Sequence, residues 1–295
     1  MTMRFGGSLV EFDGKAASKL LPELLPRLDG ERTIDEIVAD LGVSVRPAVD
    51  NALALMDERG LLTEAAPQAL HQSGRRSAEL LAATDRQRRS PRELADILAA
   101  AHVSIVGAGP AADGVARLLR LAGVSMVTRC EWTKPLAAGA SLAVAAPQGD
   151  EIARLDAWNE RMLERGIAWI QVLPYDGALA AVGPLFLPGE TACHRCYRIR
   201  RAAHLPRGGE PLCAGSYPSS PALDAVQAGL AATIAICRVV GGGGLDAGVL
   251  TAVEPIPELT LTRHVVHRVP RCPACSPAGR SAVLSPWHRE STVAA

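Results

Sequence analysis

The sequence predicts an α/β protein in two parts. A small winged-helix-like unit occupies residues 1–64, and a larger α/β domain with a four-cysteine metal knot occupies residues 93–295. Three observations lead there. From about residue 93, apolar strand-like runs alternate with amphipathic helical runs, the pattern of a parallel sheet with crossover helices. The first of these strands, "HVSIVGAG", ends in glycines and runs straight into a helix. Two CxxC pairs, in "TACHRCY" and "RCPACS", stand far apart in a chain of 295 residues.

The elements follow in order. "MRFGGSLVEF" alternates around a Gly-Gly turn and reads as a hairpin. "GKAASKLLPELLPRLDG" is helical, interrupted by Pro22 and Pro26 and stopped by Gly30. Thr33 and Glu36 form a capping box at the head of "TIDEIVADLG", which Gly42 ends. "SVRPAVDNALALMDERG" takes Ser44 as N-cap and Gly60 as terminator, with Val45, Val49, Ala52, Leu53 and Met56 on one apolar face. "LLTE" reads as the closing strand of the winged-helix plan. Residues 65–92 are polar and read as a linker with partial helix. The helix "LADILAAA" then leads into the strand "HVSIVGAG", the helix "PAADGVARLLRLAGV" and the strands "SMVTRC" and "SLAVAAP". The helix "DEIARLDAWNERMLERG" and the strand "AWIQVLPY" follow. A long helix, "SSPALDAVQAGLAATIAICRVV", is stopped by four glycines. The late strands "VLTAVEP" and "ELTLTRHVVHRVP" read as antiparallel, the second leading directly to Cys272.

Composition excludes some function classes. Lys plus Arg and Asp plus Glu both total 31, so the formal net charge is zero. That balance gives no electrostatic ground for a nucleic-acid or membrane partner. The helix that would read DNA in a winged helix carries Asp50, Asp57 and Glu58 against Arg46 and Arg59, a poor phosphate binder. No basic N-terminus precedes a long apolar run, and the longest such run, "AGLAATIAIC", is short of a bilayer span. The expected location is the cytoplasm, where cysteine pairs bind metal more often than they form disulfides.

Each CxxC places two sulfurs on one tight turn, and two such turns complete a closed tetrahedral site. Cys193, Cys196, Cys272 and Cys275 are therefore expected to hold a structural zinc ion. His194, His264 and His267 are spare ligands that read as surface or strand histidines. Cys213 reads as an ordinary loop cysteine, and Arg198, Arg200 and Arg201 as a solvated helix face.

Gly107, Gly109 and Ala112 fit a G-x-G-x-x-A phosphate loop between strand and helix. Pro110 removes one N–H from that turn, and Asp113 puts a negative charge in the first helical turn. Glu131 ends the next strand, and Lys134 is the sole cation from there to Arg154. Phosphoryl chemistry needs several positioned cations or a metal. The loop reads as vestigial, and no ATP is expected.

The runs "GAGPAADGVARLLRLAGV", "VGPLFLPGETACHRCYRIRR" and "RHVVHRVPRCPAC" together resemble the ThiF-like, ubiquitin-activating-enzyme-like proteins. The resemblance is to the branch that works in azole-forming peptide (RiPP) biosynthesis, in thiazole/oxazole-modified microcin and thiopeptide pathways. "LLPRLDGERTIDEIV" and "LMDERGLL" resemble the PqqD-like peptide-recognition element of such proteins. The resemblance implies a degenerate Rossmann-like domain behind that element, and a non-catalytic recruiter. Such a recruiter would bind the leader of a ribosomally made precursor peptide. It would deliver the precursor to a YcaO-type ATP-dependent cyclodehydratase, which makes thiazoline or oxazoline rings. By β-augmentation the leader would add to the edge strand Leu9, Val10, Glu11 and Phe12 and lie along Val45, Val49, Leu53 and Arg59. The family also suggests a homodimer. Adenylating members carry G-x-G-G-x-G and an insertion with an ATP-contacting Arg and Gln; here "CEWTKPLAAGASLAVAAP" runs between strands with almost no insertion. The alternative is an ATP-dependent adenylating enzyme that activates a peptide or carrier-protein C-terminus.

Overall fold

In the computed structural model, the described residues are 2–5, 8–62, 64–67, 69–85, 87–204, 218–241, 247–255 and 257–276. The Gly6–Gly7 turn, Cys213 and Gly242 to Gly244 lie outside them. The chain divides into two compact units, Met1–Ala100 with Leu121–Gly123, and Ala101–Arg120 with Val124–Ala295.

The first unit opens with the antiparallel strands β1 (Thr2–Phe5) and β2 (Ser8–Glu11), joined in a two-stranded sheet. Phe12 leaves the strand and packs, partly buried, on the helical core. Helix α1 (Lys15–Leu24) carries Pro22 inside, and its end tightens into a 3-10 turn at Leu25–Arg27. Helix α2 (Ile34–Leu41) begins with the expected capping box. Thr33 Oγ1 accepts from the Glu36 N–H at 3.3 Å, and the Thr33 N–H donates to Glu36 Oε2 at 2.8 Å. Helix α3 (Arg46–Glu58) follows a 3-10 turn at Val43–Val45. Its N-cap position is Val45, not Ser44, because Pro47 in the first turn presets the helical φ there.

Leu21, Leu24, Ile37, Val38, Val49 and Met56 form the core of these three helices. No strand forms at residues 61, 62 or 64. Gly60, at φ +65°, takes the left-handed position after α3, and the Leu61 N–H turns back to the Met56 carbonyl at 2.8 Å. Leu61 and Leu62 then pack on the helices, which uses the residues a closing strand would need. Helix α4 (Gln72–Thr84) lies in the segment read as a linker, and α5 (Pro91–Ala100) packs with it through Ala66, Ala78 and Ala95.

The loop between α4 and α5 is held by a closed ion pair. Asp85 receives Arg89 Nε at 2.8 Å and Nη2 at 2.9 Å, with both side chains mostly buried. The Arg89 hydrogen bonds hold the Asp85 carboxyl well below the usual carboxylate range. A carboxyl lowered in the folded state stabilises above its unfolded value and loses that contribution as acid protonates it. Asp85→Asn is therefore expected to lower the melting temperature by a few degrees at pH 7, with the gap to wild type closing in strong acid. Thermal melts across pH measure this.

The second unit is a seven-stranded sheet in the order β4-β3-β5-β6-β7-β8-β9. Strands β3 (His102–Val106), β4 (Met126–Cys130), β5 (Leu142–Ala145) and β6 (Ala168–Leu173) are parallel. Strands β7 (Ala180–Phe186), β8 (Val249–Glu254) and β9 (Thr260–Val265) continue antiparallel. The sequence reading missed β7, because Gly183 and Pro184 interrupt its apolar run. A Cβ on Gly183 would stand 2.4 Å from the Val249 carbonyl oxygen, so glycine lets β8 pair closely at that point.

Helix α6 (Pro110–Leu121) crosses from β3 to β4, and the long α9 (Pro221–Val239) lies on β5, β6 and β7. A Cβ on Gly114 would come within 2.7 Å of the Ala228 methyl, which places α6 and α9 in close contact. By length and hydropathy α9 would also pass as a membrane-spanning helix. Its buried residues, including Leu223, Ala231 and Ala235, and the Gln227 amide on the Leu173 carbonyl at 2.6 Å, show it serving as a core helix of this sheet.

Helices α7 (Leu155–Arg165) and α8 (His194–Ala203) pack on a core with Trp158, Trp169, Phe186 and three of the four CxxC cysteines. Trp158 is fully buried, edge-on to Trp132 at 5.7 Å, with the Arg161 guanidinium 5.2 Å from its ring centre. Trp158→Ala is expected to cost about 3–5 kcal/mol, from lost transfer energy plus a cavity. Urea unfolding followed by circular dichroism measures it.

Candidate functional site

Three places bring together residues with chemistry. The first is the cysteine cluster. Cys193 caps the N-terminus of α8, and Cys196 follows one turn later. Chain leaving β9 turns at Val269, where the Cys272 N–H donates to the Val269 carbonyl, and delivers Cys272 and Cys275. The sulfur separations are 3.8 Å for Cys193–Cys196, 3.7 Å for Cys193–Cys272 and 3.5 Å for Cys196–Cys275. All four sulfurs lie within 4.8 Å of one another, three on buried residues. Sulfurs about 2.3 Å from a central ion form a tetrahedron with edges of about 3.8 Å. A disulfide would need about 2.05 Å. The four cysteines fit a metal ion.

Their acid–base chemistry agrees. Cys196 is pushed down to about 4 by the Cys193 thiol and also by the Val269 N–H, which donates to its sulfur at 3.3 Å. Cys193 is pushed far up, first by the hydrogen bond its thiol donates to Cys196 and then by burial. Burial pushes Cys275 up to about 11. A cation at the centre of the cluster is what would let its thiols ionise together.

The surroundings brace the cluster. His194 is buried against Trp169, Phe186 and Tyr197, not at the surface. Its backbone N–H donates to Asn159 Oδ1 at 3.0 Å, and Nδ1 lies 2.9 Å from Gln171 Oε1. Burial, with Arg198 and Arg195 adding, lowers its pKa to about 3 and keeps the ring neutral. The α8 arginines are engaged within the fold. Arg198 pairs with Asp156, and Arg201 with Asp176 at 2.8 Å. Arg200 donates to the His267 carbonyl at 2.5 Å and the Arg268 carbonyl at 3.0 Å. They tie α8 to α7, to the loop after β6 and to the chain that leads into the second CxxC turn, which corrects their reading as a solvated face. His264 is exposed on β9, and its Nε2 lies 2.9 Å from the Thr262 hydroxyl.

The second place is the crevice at the carboxyl ends of β3 and β5, where the strand order reverses. Gly107 and Gly109 take φ +99° and +92°. A Cβ on Gly107 would stand 2.0 Å from the Ala146 carbonyl oxygen. One on Gly109 would stand 1.8 Å from Gln148 Nε2. That amide donates to the Ala108 carbonyl at 2.8 Å. Ala112 is fully buried under the turn. Arg129, at the end of β4, donates to the Gly107 carbonyl at 2.8 Å and pairs with Asp113 at 3.3 Å. Asp113 is thus neutralised by a neighbour, which the sequence reading did not anticipate. Glu131 and Lys134 pair with each other at 2.6 Å in solvent.

The third place is a groove of about 320 Å³ in the first unit, lined by Glu11, Phe12, Asp13, Leu20, Leu21, Ala48, Asn51, Ala52, Leu55 and Arg59. Of the residues expected to meet a peptide, Glu11, Phe12 and Arg59 reach it. Val49 is fully buried, and Val45 and Leu53 pack on the same core, so none of these three lines the groove. The apolar stripe faces inward except that Ala52, at its margin, also reaches the groove, and the adjoining face of α3, with Ala48, Asn51 and Leu55, lines the groove. Leu55 is 42% exposed, and an outward leucine on an otherwise polar face was the available signal. For Leu9 and Val10 the structure gives the backbone of β2, whose second edge has no strand partner among the described residues.

No protein-family model matches the chain, and no curated protein matches it. Solved structures do. A heterocyclase in complex with substrate and cofactor matches with a TM-score of 0.66 at 21% identity, covering 93% of this chain and 36% of that one. The heterocyclase TruD matches at 0.66 and 24% identity, covering 93% of this chain and 40% of its own. The microcin C7 biosynthetic enzyme MccB in complex with N-formylated MccA matches at 0.62 and 14% identity, covering 94% and 97%. The E. coli MccB structure with ATP matches at 0.60 and 15% identity, covering 93% of this chain and 95% of that one. This chain spans about two fifths of the heterocyclases' length. At these identities the likeness shows the fold alone.

Proposed function

We propose that this protein binds the leader of a ribosomally made precursor peptide. It then presents the precursor to a separate YcaO-type, ATP-dependent cyclodehydratase for thiazoline or oxazoline formation. The observation that carries this reading is the groove beside β2 and α3. Its floor is apolar, from Phe12, Leu20, Ala52 and Leu55, and its rim is polar, with Arg59, Asn51 and Glu11. An extended peptide pairing with the free edge of β2 would place alternate side chains over that floor. Support comes from the fold, since matching structures include one with the peptide MccA bound.

In this reading Cys193, Cys196, Cys272 and Cys275 hold zinc. Four thiolates leave no open coordination position, so the ion supplies stability and no catalysis. The alternative, an adenylating enzyme, has in its favour the left-handed Gly107 and Gly109. Against it stand Pro110 in the turn and the Gln148 amide over Gly109.

Reconstitution tests the reading. The precursor and a YcaO-type partner are incubated with Mg-ATP, with and without this protein, and loss of water per ring is followed by mass spectrometry. Rings are expected in quantity only with all three components. Equal ring formation without this protein would sink the proposal.

A further inference from the structure

Strand β9 ends the seven-stranded sheet, and β8 is its one strand partner among the described residues. All six of its residues are exposed. Alternation puts Leu261, Arg263 and Val265 on one face, opposite Val253, Thr251 and Val249 of β8. Val253 packs with Leu223 of α9, so this is the α9 side of the sheet. There α9 lies on β5, β6 and β7. Leu261 stays 50% exposed and Val265 63%, with Leu259 just before the strand at 62%. Natural sheets blunt an open edge with a bulge or a proline. Strand β9 has neither, and pairs with β8 in unbroken register along its whole length. The charge along this edge has one sign. From Thr260 to Cys272 the chain carries Arg263, Arg268 and Arg271, two histidines and no carboxylate, in a protein of zero formal charge. All three arginines are exposed.

We propose that β9 is a docking edge for an acidic, extended segment of a partner protein, which adds to the sheet as a further strand. An edge strand offers outward N–H and C=O groups for such pairing, and its side chains set the specificity. An incoming strand that reads apolar, acidic, apolar on one face would meet Val265, Arg263 and Leu261 in turn. A second copy of this chain fits less well. The antiparallel register that sets Leu261 against the copy's valine sets Arg263 against its own twin, and like charges directly opposite are destabilising. Nucleic acid would use the arginines but leave Leu261, Val265 and the strand backbone without a role. The inference is separate from leader binding, which uses the groove in the first unit.

The test uses the full chain and a fluorescein-labelled model strand, Glu-Thr-Val-Thr-Glu-Thr-Val-Thr, followed by anisotropy. Saturable binding is expected. A version with Lys for both Glu should bind roughly tenfold more weakly, since each pair turns from opposite to like charge. Arg263→Glu is expected to reverse that preference. Leu261→Thr, which keeps a strand former at an exposed position, is expected to weaken both peptides several-fold. Thermal melts check that each variant folds, and either one alone tests the proposal. It is overturned by the absence of saturable binding, by equal binding of the two peptides, or by folded variants that bind as wild type does. A dimer seen by light scattering that Leu261→Thr dissociates would give the edge to a second copy instead. A DNA oligonucleotide bound more tightly than the acidic peptide would make the basic strip a nucleic-acid surface, and would overturn the proposal as well.

Discussion

Cys272→Ser is expected to abolish stoichiometric zinc and the cooperative unfolding of the sheet unit. The cluster sits inside the core: Cys193, Cys196 and Cys272 pack with Trp169, Phe186 and Tyr197. Structural zinc contributes about 10–16 kcal/mol of apparent binding energy at neutral pH. A domain's whole stability is about 5–15 kcal/mol, so a zinc ion held here would weigh as much as the rest of the fold. Serine keeps the volume but offers a poor ligand. The three thiols that remain would be buried donors competing for too few acceptors. Arg200 and Arg268, which hold the second CxxC turn through backbone carbonyls, would lose the anchor they brace. Metal analysis of purified protein should give one zinc per wild-type chain and well under one per variant, and near-ultraviolet dichroism should lose its tryptophan signal. A variant that melts like wild type would show that the metal does not support the fold.

Leu55→Asp should separate binding from folding, and Val49→Asp should do the reverse. Leu55 lines the groove at 42% exposure, so a charge there meets water and costs little stability. It would place a carboxylate where a leader side chain needs an apolar floor. A loss of at least about 2 kcal/mol, roughly thirtyfold in affinity, is the scale of an anchor position. Val49 is fully buried beneath the same helix. An unpaired carboxylate there should unfold the first unit rather than dull its binding. Anisotropy of a labelled leader peptide, read beside thermal melts, distinguishes the two. If both variants bind normally while folded, the groove is not the leader site.

Much of the fold was legible because its signals are local. The Thr33–Glu36 box, the glycine ending β3, and the alternation of strands and helices all lie within short windows, and each appears where expected. The cysteine cluster was legible for a different reason: paired CxxC spacing leaves few chemical options, and the geometry follows. What failed was non-local. "LLTE" looked like a strand, but Leu61 is used to close α3. Strand β7 hid behind a glycine and a proline that a sheet interior tolerates only in its three-dimensional setting. The stripe on α3 was visible as a stripe, but periodicity alone does not say which side of it faces a groove. Gln148 and Arg129 carried no motif, because their partners are backbone carbonyls on another loop.

The central claim is that this chain recognises a precursor peptide and leaves activation to another protein. Calorimetric titration of the zinc-loaded protein with a synthetic precursor leader, run beside ATP–pyrophosphate exchange with the full precursor, tests it most directly. The account predicts saturable leader binding that Leu55→Asp weakens at least about thirtyfold, about 2 kcal/mol, and no exchange. Exchange above background, or leader binding indifferent to Leu55, would contradict it.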